Sequence, residues 1–327
     1  MGSRLLRFTA EAGATYLISA DNSYSSEEVT FSLAPARGLP ANDHFANAIA
    51  LLGDDVSSAS HSIGASTEPG EPVDAERSLW WIWTAPRNGL VRFGAGSGTP
   101  YLFTPGTVLQ DLELVTPWRD SLYRVTAGAI YNVMVASGSG RDLTLSVEMT
   151  PEGDLFEFPV LAGSLDVLQL DLQLSGATWE AFEPLHGGAL PEQSVWLRWT
   201  APYSAPVRLR VGNSWQDLRI AVYTGASITQ LSPVAEGVSE IQFAAVSGTT
   251  YSIAVDAPTS GYPPAQVSFQ LATEPEGYVG WRAGFFPTFG DPEGAPLANP
   301  DGDALPNLFE PVSYTHLTLP TRCHRCR

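Results

Sequence analysis

SLWWIWTAP at residues 78–86 and SVWLRWTAP at residues 194–202 decide the reading of this chain. Both segments are short, rich in tryptophan and closed by Thr-Ala-Pro. Side chains of an extended strand alternate between its two faces. Leu79, Trp81 and Trp83 therefore share one face, as do Val195, Leu197 and Trp199 in the second copy. That face reads as core. The opposite face carries Trp80 and Ile82, then Trp196 and Arg198. Pro86 and Pro202 stop each strand, because proline has no N–H to give a sheet ladder. Two copies of one strand imply a repeated domain.

A second landmark phases the repeats. AEAGATYLISA (10–20), VTAGAIYNVMVA (125–136) and VSGTTYSIAVDA (246–257) share Gly-x-x-Tyr followed by an alternating run. Gly13, Gly128 and Gly248 suit a turn with positive φ, and the run after Tyr16, Tyr131 and Tyr251 reads as a half-buried strand. One more strand follows each: VTFSLA (29–34), LTLSVE (143–148) and VSFQLA (267–272). Short strands separated by turn signals, with no long helical periodicity, predict an all-β chain of tandem β-sandwich modules. The expected division is a remnant of a first repeat at 1–36, a second repeat at 40–151 and a third at 152–275. An Asp/Pro-rich tail occupies 276–311. In VRLRVG (207–212), Arg208 and Arg210 alternate with Val207, Leu209 and Val211, as a sheet with one wet face requires.

The 327 residues suffice for two to three domains with proper cores. The formal charge is −18, and all 17 basic residues are arginine. Such acidity argues against nucleic acid, whose phosphates need cations, and is compatible with calcium. No apolar run approaches the ~20 residues that span a membrane. Residues 312–327 break the composition: they hold both cysteines, Cys323 and Cys326, and VSYTHLTLPT looks like translated sequencing adaptor. They are set aside as non-biological. The beginning shows no basic region and apolar run of a signal peptide, so an exported parent would carry its signal upstream.

NDHFANAIALLG (42–53), GASTEPGEP (64–72), SVWLRWTAP, IAVYTG (220–225) and the Gly-x-x-Tyr strand, in that order, resemble the repeats of large bacterial secreted proteins. Those repeats are similar to the bacterial pre-peptidase C-terminal domain. The resemblance covers residues 1–275. It implies a jelly-roll-like β-sandwich, a non-catalytic role on secreted or cell-surface proteins, and, in some members, calcium or polymer binding. The implied partners are an extracellular polymer or protein and neighbouring repeats of the same chain.

Chemistry has few places to reside. Against the calcium loop of an EF-hand, Asn299, Asp301 and Asp303 take positions 1, 3 and 5. Leu305 offers a carbonyl at 7, Asn307 falls at 9 and Glu310 at 12, although Ala304 replaces the usual glycine at 6. The competing reading is an acidic linker. A second candidate metal site pairs Glu68 with Glu71 and, by position, Glu180 with Glu183; solvated loop acids are the favoured alternative. Trp80 and Trp196 are candidates for stacking on a sugar ring or a partner, against packing under a loop, which is favoured. His44, His61 and His186 lie in polar loop contexts with no nucleophile elbow, and read as surface histidines. No catalytic constellation is legible. The expectation is a non-catalytic, calcium-stabilised module array serving adhesion, substrate binding or spacing. The alternative is the carbohydrate-binding accessory region of a secreted hydrolase or protease.

Overall fold

The computed structural model describes residues 13–19, 33, 38–212, 217–259, 265–273, 297–299 and 306. Its ordered elements are strands and three single-turn 3-10 helices. The reading of 1–36 as a remnant and of the tail at 276–311 therefore falls almost wholly outside the described residues.

The first module contains β1 (Ile49–Leu52), β2 (Asp55–His61), β3 (Ser78–Thr84) and β4 (Gly89–Gly94). It continues with β5 (Thr99–Phe103), β6 (Leu122–Val125), β7 (Ile130–Ala136) and β8 (Asp142–Met149). One sheet has the order β1-β3-β7-β5, the other β2-β8-β4-β6. The second module contains β9 (Val160–Gly163), β10 (Val167–Gln173), β11 (Ser194–Thr200), β12 (Ala205–Gly212) and β13 (Arg219–Thr224). After these come β14 (Ser232–Val238), β15 (Glu240–Ala245), β16 (Thr250–Asp256) and β17 (Gln266–Thr273). Its sheets, β9-β11-β16-β13-β14 and β10-β17-β12-β15, repeat the first pair strand for strand, with β14 added at one edge. In both modules the tryptophan strand pairs antiparallel with the Gly-x-x-Tyr strand and parallel with the short strand that opens the module. The chain is all-β, built as β-sandwiches.

The two sheets of a module differ in burial. β12 alternates as its sequence implies, with Val207, Leu209 and Val211 inward. Arg210 points outward to donate to Glu240 at 3.0 Å. The tryptophan strands are buried on both faces. Leu79, Trp81 and Trp83 enter the core between the sheets with Val91, Phe93, Val133 and Val147. Trp83 meets Phe93 edge-on at 5.8 Å and donates its indole N–H to the Gly53 carbonyl at 2.9 Å. Burying one such side chain contributes up to about 4–6 kcal/mol by area. Its single polar atom is satisfied, so little of that is lost to desolvation. Gly128 and Gly248 adopt φ of 75° and 74°. Three residues on, the Tyr131 and Tyr251 hydroxyls accept the N–H groups of Thr126 and Val246, fixing the turn that starts each strand.

The modules meet through an apolar junction. Leu90 and Leu122, on the outer face of the alternating sheet of the first module, are buried against Leu155, with Phe158 packed beside them. Arg124 covers Phe158 at 5.5 Å and pairs with Glu157, while Arg119 lies 4.5 Å from the Trp179 ring centroid. Matching the sheet registers places Pro206 and Gln242 where the first module has Leu90 and Leu122. The N–H groups of Trp80 and Trp196 donate to the carbonyls of Asn42 and Gly153, which aligns the opening segments. His44 and Asn47 then stand in the places of Leu155 and Phe158. Among the described residues, the equivalent positions thus carry no second apolar joint.

Candidate functional site

The conserved geometry of both modules lies on the outer face of the tryptophan sheet, where two loop segments lock each other down. Asp43 accepts the backbone N–H of Ser66 at 2.7 Å and its hydroxyl at 3.0 Å. In return Glu68 accepts the backbone N–H of Phe45 at 2.6 Å. The second module repeats both halves: Asp154 accepts the Thr178 N–H, and Glu180 accepts the Phe156 N–H at 2.5 Å. Glu71 and Glu183 complete the clasp by accepting the N–H groups of Glu68 and Glu180 at 3.1 and 2.8 Å. Glu71 also takes the Ser78 hydroxyl at 2.6 Å and the Trp80 indole N–H at 3.4 Å.

The four glutamates are therefore held by backbone donors rather than free in solvent. Among the described residues no group of three acidic, imidazole or thiol side chains is placed to hold a metal. The sequence marks these residues but not their backbone partners. The available signal was the paired recurrence of Asn-Asp or Gly-Asp with the Gly-Ala-Ser/Thr segment about two dozen residues later. Of the candidate calcium loop, Asn299 is exposed, and Asp301, Asp303, Leu305, Asn307 and Glu310 lie outside the described residues.

Trp80 and Trp196 are fully buried, which removes them as stacking platforms for a sugar. The clasp loops cover them: Phe45 meets Trp80 edge-on at 5.1 Å, and Phe156 meets Trp196 in the same way at the same distance. Each forms a satellite core, with Phe103 and Met134 in one module and Ala221 and Tyr223 in the other.

His186 corrects the surface reading of the histidines. It is fully buried, T-shaped against Trp196 at 5.5 Å, with Tyr223 at 6.0 Å. Its Nε2 lies 3.7 Å from Glu183 and its Nδ1 4.0 Å from Asp256. Burial holds the imidazole neutral, with a pKa lowered to about 4, and holds Glu183 as the acid, raised to about 8. Asp256 is raised by burial as well, yet it accepts Arg219 at 2.7 Å and the N–H groups of Glu192 and Gln193. Glu192, held by Thr259 and by Arg219 at 2.9 Å, falls to about 2. Glu183 and His186 are thereby enclosed away from solvent.

No family model matches the chain, and no curated protein matches it. Among solved structures, it is similar to a periplasmic inhibitor of g-type lysozyme from Aeromonas hydrophila. That similarity has 15% identity and TM-score 0.24 over 36% of this chain and 99% of that one. The counterpart from Salmonella Typhimurium gives 10% identity and TM-score 0.21 over 31% and 98%. The CUB1-EGF-CUB2 domains of rat MASP-1 give 8% identity and TM-score 0.18 over 69% and 100%. At these scores the likenesses carry no inference about this chain.

Proposed function

We propose that the chain is a non-catalytic β-sandwich module array of a secreted or cell-surface bacterial protein, serving as a rigid spacer that presents loops to a partner. The apolar junction of Leu90, Leu122, Leu155 and Phe158 carries this reading. A joint with an apolar centre, framed by Arg124–Glu157 and by Arg119 over Trp179, couples two sandwiches into one body. The ordered resemblance of the motifs to secreted bacterial repeats and the acidic, lysine-free composition support the extracellular setting. The commitment of the Asp43/Glu68 and Asp154/Glu180 pairs to backbone donors supports a structural rather than catalytic use of the acidic loops.

The proposal keeps calcium as a structural ion, at the segment from Asn299 to Glu310. A hard cation there would be held by Asn299, Asp301, Asp303, Asn307 and Glu310 with the Leu305 carbonyl. Scanning calorimetry of the full chain tests the array. Wild-type protein should unfold its two sandwiches in one cooperative transition, and Leu155→Asp should split it. Two transitions in the wild type would contradict the coupling.

A further inference from the structure

Phe182 sits where the backbone disfavours it and the packing does not need it. The Glu180–Glu183 turn matches Glu68–Glu71: in each, the fourth N–H donates to the first carbonyl at 3.3 Å. The third position has φ of +95° at Gly70 and +71° at Phe182. A turn of that kind calls for glycine or asparagine, and a bulky side chain there is strained. The first module shows that the same clasp forms with glycine. The side chain of Phe182 is 78% exposed. Strain kept without a packing return points to a use outside the fold.

The loop that follows strengthens the case. Between Glu183 and Ser194 it is longer than its counterpart between Glu71 and Ser78, and the added length carries Leu185 and Leu190, 50% and 73% exposed. The backbone beneath them is tied down. The Tyr223 hydroxyl donates to the Leu185 carbonyl at 2.7 Å, and Arg219 donates to the Leu190 carbonyl at 2.9 Å. His186 and Ala189 bridge the turn between them. In the first module the corresponding Val73 and Ala75 instead pack inward around Trp80. Trp179, 45% exposed under the Arg119 guanidinium, completes a set of outward apolar groups on an anchored loop.

We propose that this loop, with Phe182, Leu185 and Leu190 as anchors, is the contact surface of the array for a protein partner that presents apolar side chains within a basic surround. The inference rests on the module-array reading and names its partner class. The charge decides among occupants. With a net charge of −18, the chain repels nucleic acid, an anionic bilayer and a second copy of itself, and steers a cationic protein surface toward it. The exposed side chains from 182 to 190 include no hydrogen-bonding group to orient the hydroxyls of a sugar. A pre-anchored apolar loop lowers the ordering cost of association with an apolar partner site.

The test uses the full chain and a random displayed 12-residue peptide library, with Phe182→Gly protein as the counter-selection. The expected peptides carry a Leu, Phe or Trp anchor flanked by Arg or Lys, bind Phe182→Gly and Leu190→Ser at least about tenfold more weakly, and weaken with salt. Phe182→Gly should at the same time raise Tm by roughly 2–4 °C, because the strain is relieved. A lower Tm would make Phe182 a packing residue and overturn the proposal. So would the recovery of no peptide, or of peptides indifferent to Phe182→Gly. Sedimentation of the wild type with phosphatidylcholine vesicles, lost in Phe182→Gly, would assign the loop to a membrane instead. Failure of the array reading is separable, since it would appear as independent modules with peptide binding intact.

Discussion

Glu183 Oε1 stands 3.7 Å from His186 Nε2, both side chains are fully buried, and neither atom has a hydrogen-bond partner. The clasp of the first module has no buried pair of this kind: its His44 is half exposed, 3.3 Å from Glu68, and Glu71 meets Ser78 and the Trp80 indole. In the second module the longer loop inserts His186 between Glu183, Asp256, Trp196 and Tyr223. The consequence is a titration inside the second module.

The sign of that titration follows from the two shifts. Glu183 is raised from 4.5 to about 8, so the folded state keeps a proton that the unfolded chain releases. Its contribution is complete below pH 4.5 and is lost as the pH rises to about 8. His186 is lowered from 6.5 to about 4, so its contribution is complete above 6.5 and lost as the pH falls toward 4. Between pH 6.5 and 8 the His186 contribution is constant while that of Glu183 falls, adding a downward slope of up to about 1.4 kcal/mol per pH unit. Glu183→Gln keeps an acceptor for the Glu180 N–H and cannot ionise. Urea unfolding across this range should show the slope flattened in the variant; an unchanged slope would refute the assignment.

The clasp makes a different prediction for the acidic loops. Glu68→Ala and Glu180→Ala each leave a backbone N–H without its charged acceptor and should cost about 1.5–3 kcal/mol. The loss should be the same in calcium and in excess EDTA, because these carboxylates serve the backbone. Asp301→Asn with Asp303→Asn should behave in the opposite way, removing any calcium-dependent rise in Tm while leaving the melt in EDTA unchanged. Thermal unfolding of four proteins in two buffers separates the two sites.

Trp80 and Trp196 should behave as core. Trp80→Ala and Trp196→Ala are expected to cost about 3–5 kcal/mol, by loss of buried area and by the cavity left under the clasp. Retention of the full chain on polysaccharide gels should not depend on Trp80→Phe. A retention lost in that variant, with stability kept, would restore the sugar-stacking reading.

The sandwich was legible because the burial pattern is written with period two. Val207, Leu209 and Val211 alternate with outward arginines, and Trp81 and Trp83 alternate with residues of the second face. That second face was legible only as a choice. Whether Trp80 meets solvent depends on loops brought back over it by hydrogen bonds from Asp43 and Glu68, and long-range loop closure leaves no periodicity. For the same reason the backbone partners of the glutamates are not legible locally. A carboxylate that caps a distant N–H and one that binds calcium have the same local sequence. His186 was misread because its burial depends on Tyr223 and Asp256, strands away in the chain. Strand β14, SPVAEGV, was missed because its alternation is weak: it sits at a sheet edge and its residues are half-buried or exposed.

The junction carries the functional account, and its most direct test is the rotational diffusion of the two modules in solution, from backbone amide relaxation of the full chain. One shared correlation time for residues 49–149 and 160–273, separating into two shorter ones when Leu155→Asp breaks the contact with Leu90 and Leu122, is the predicted result. Two independent correlation times in the wild type would contradict the rigid array.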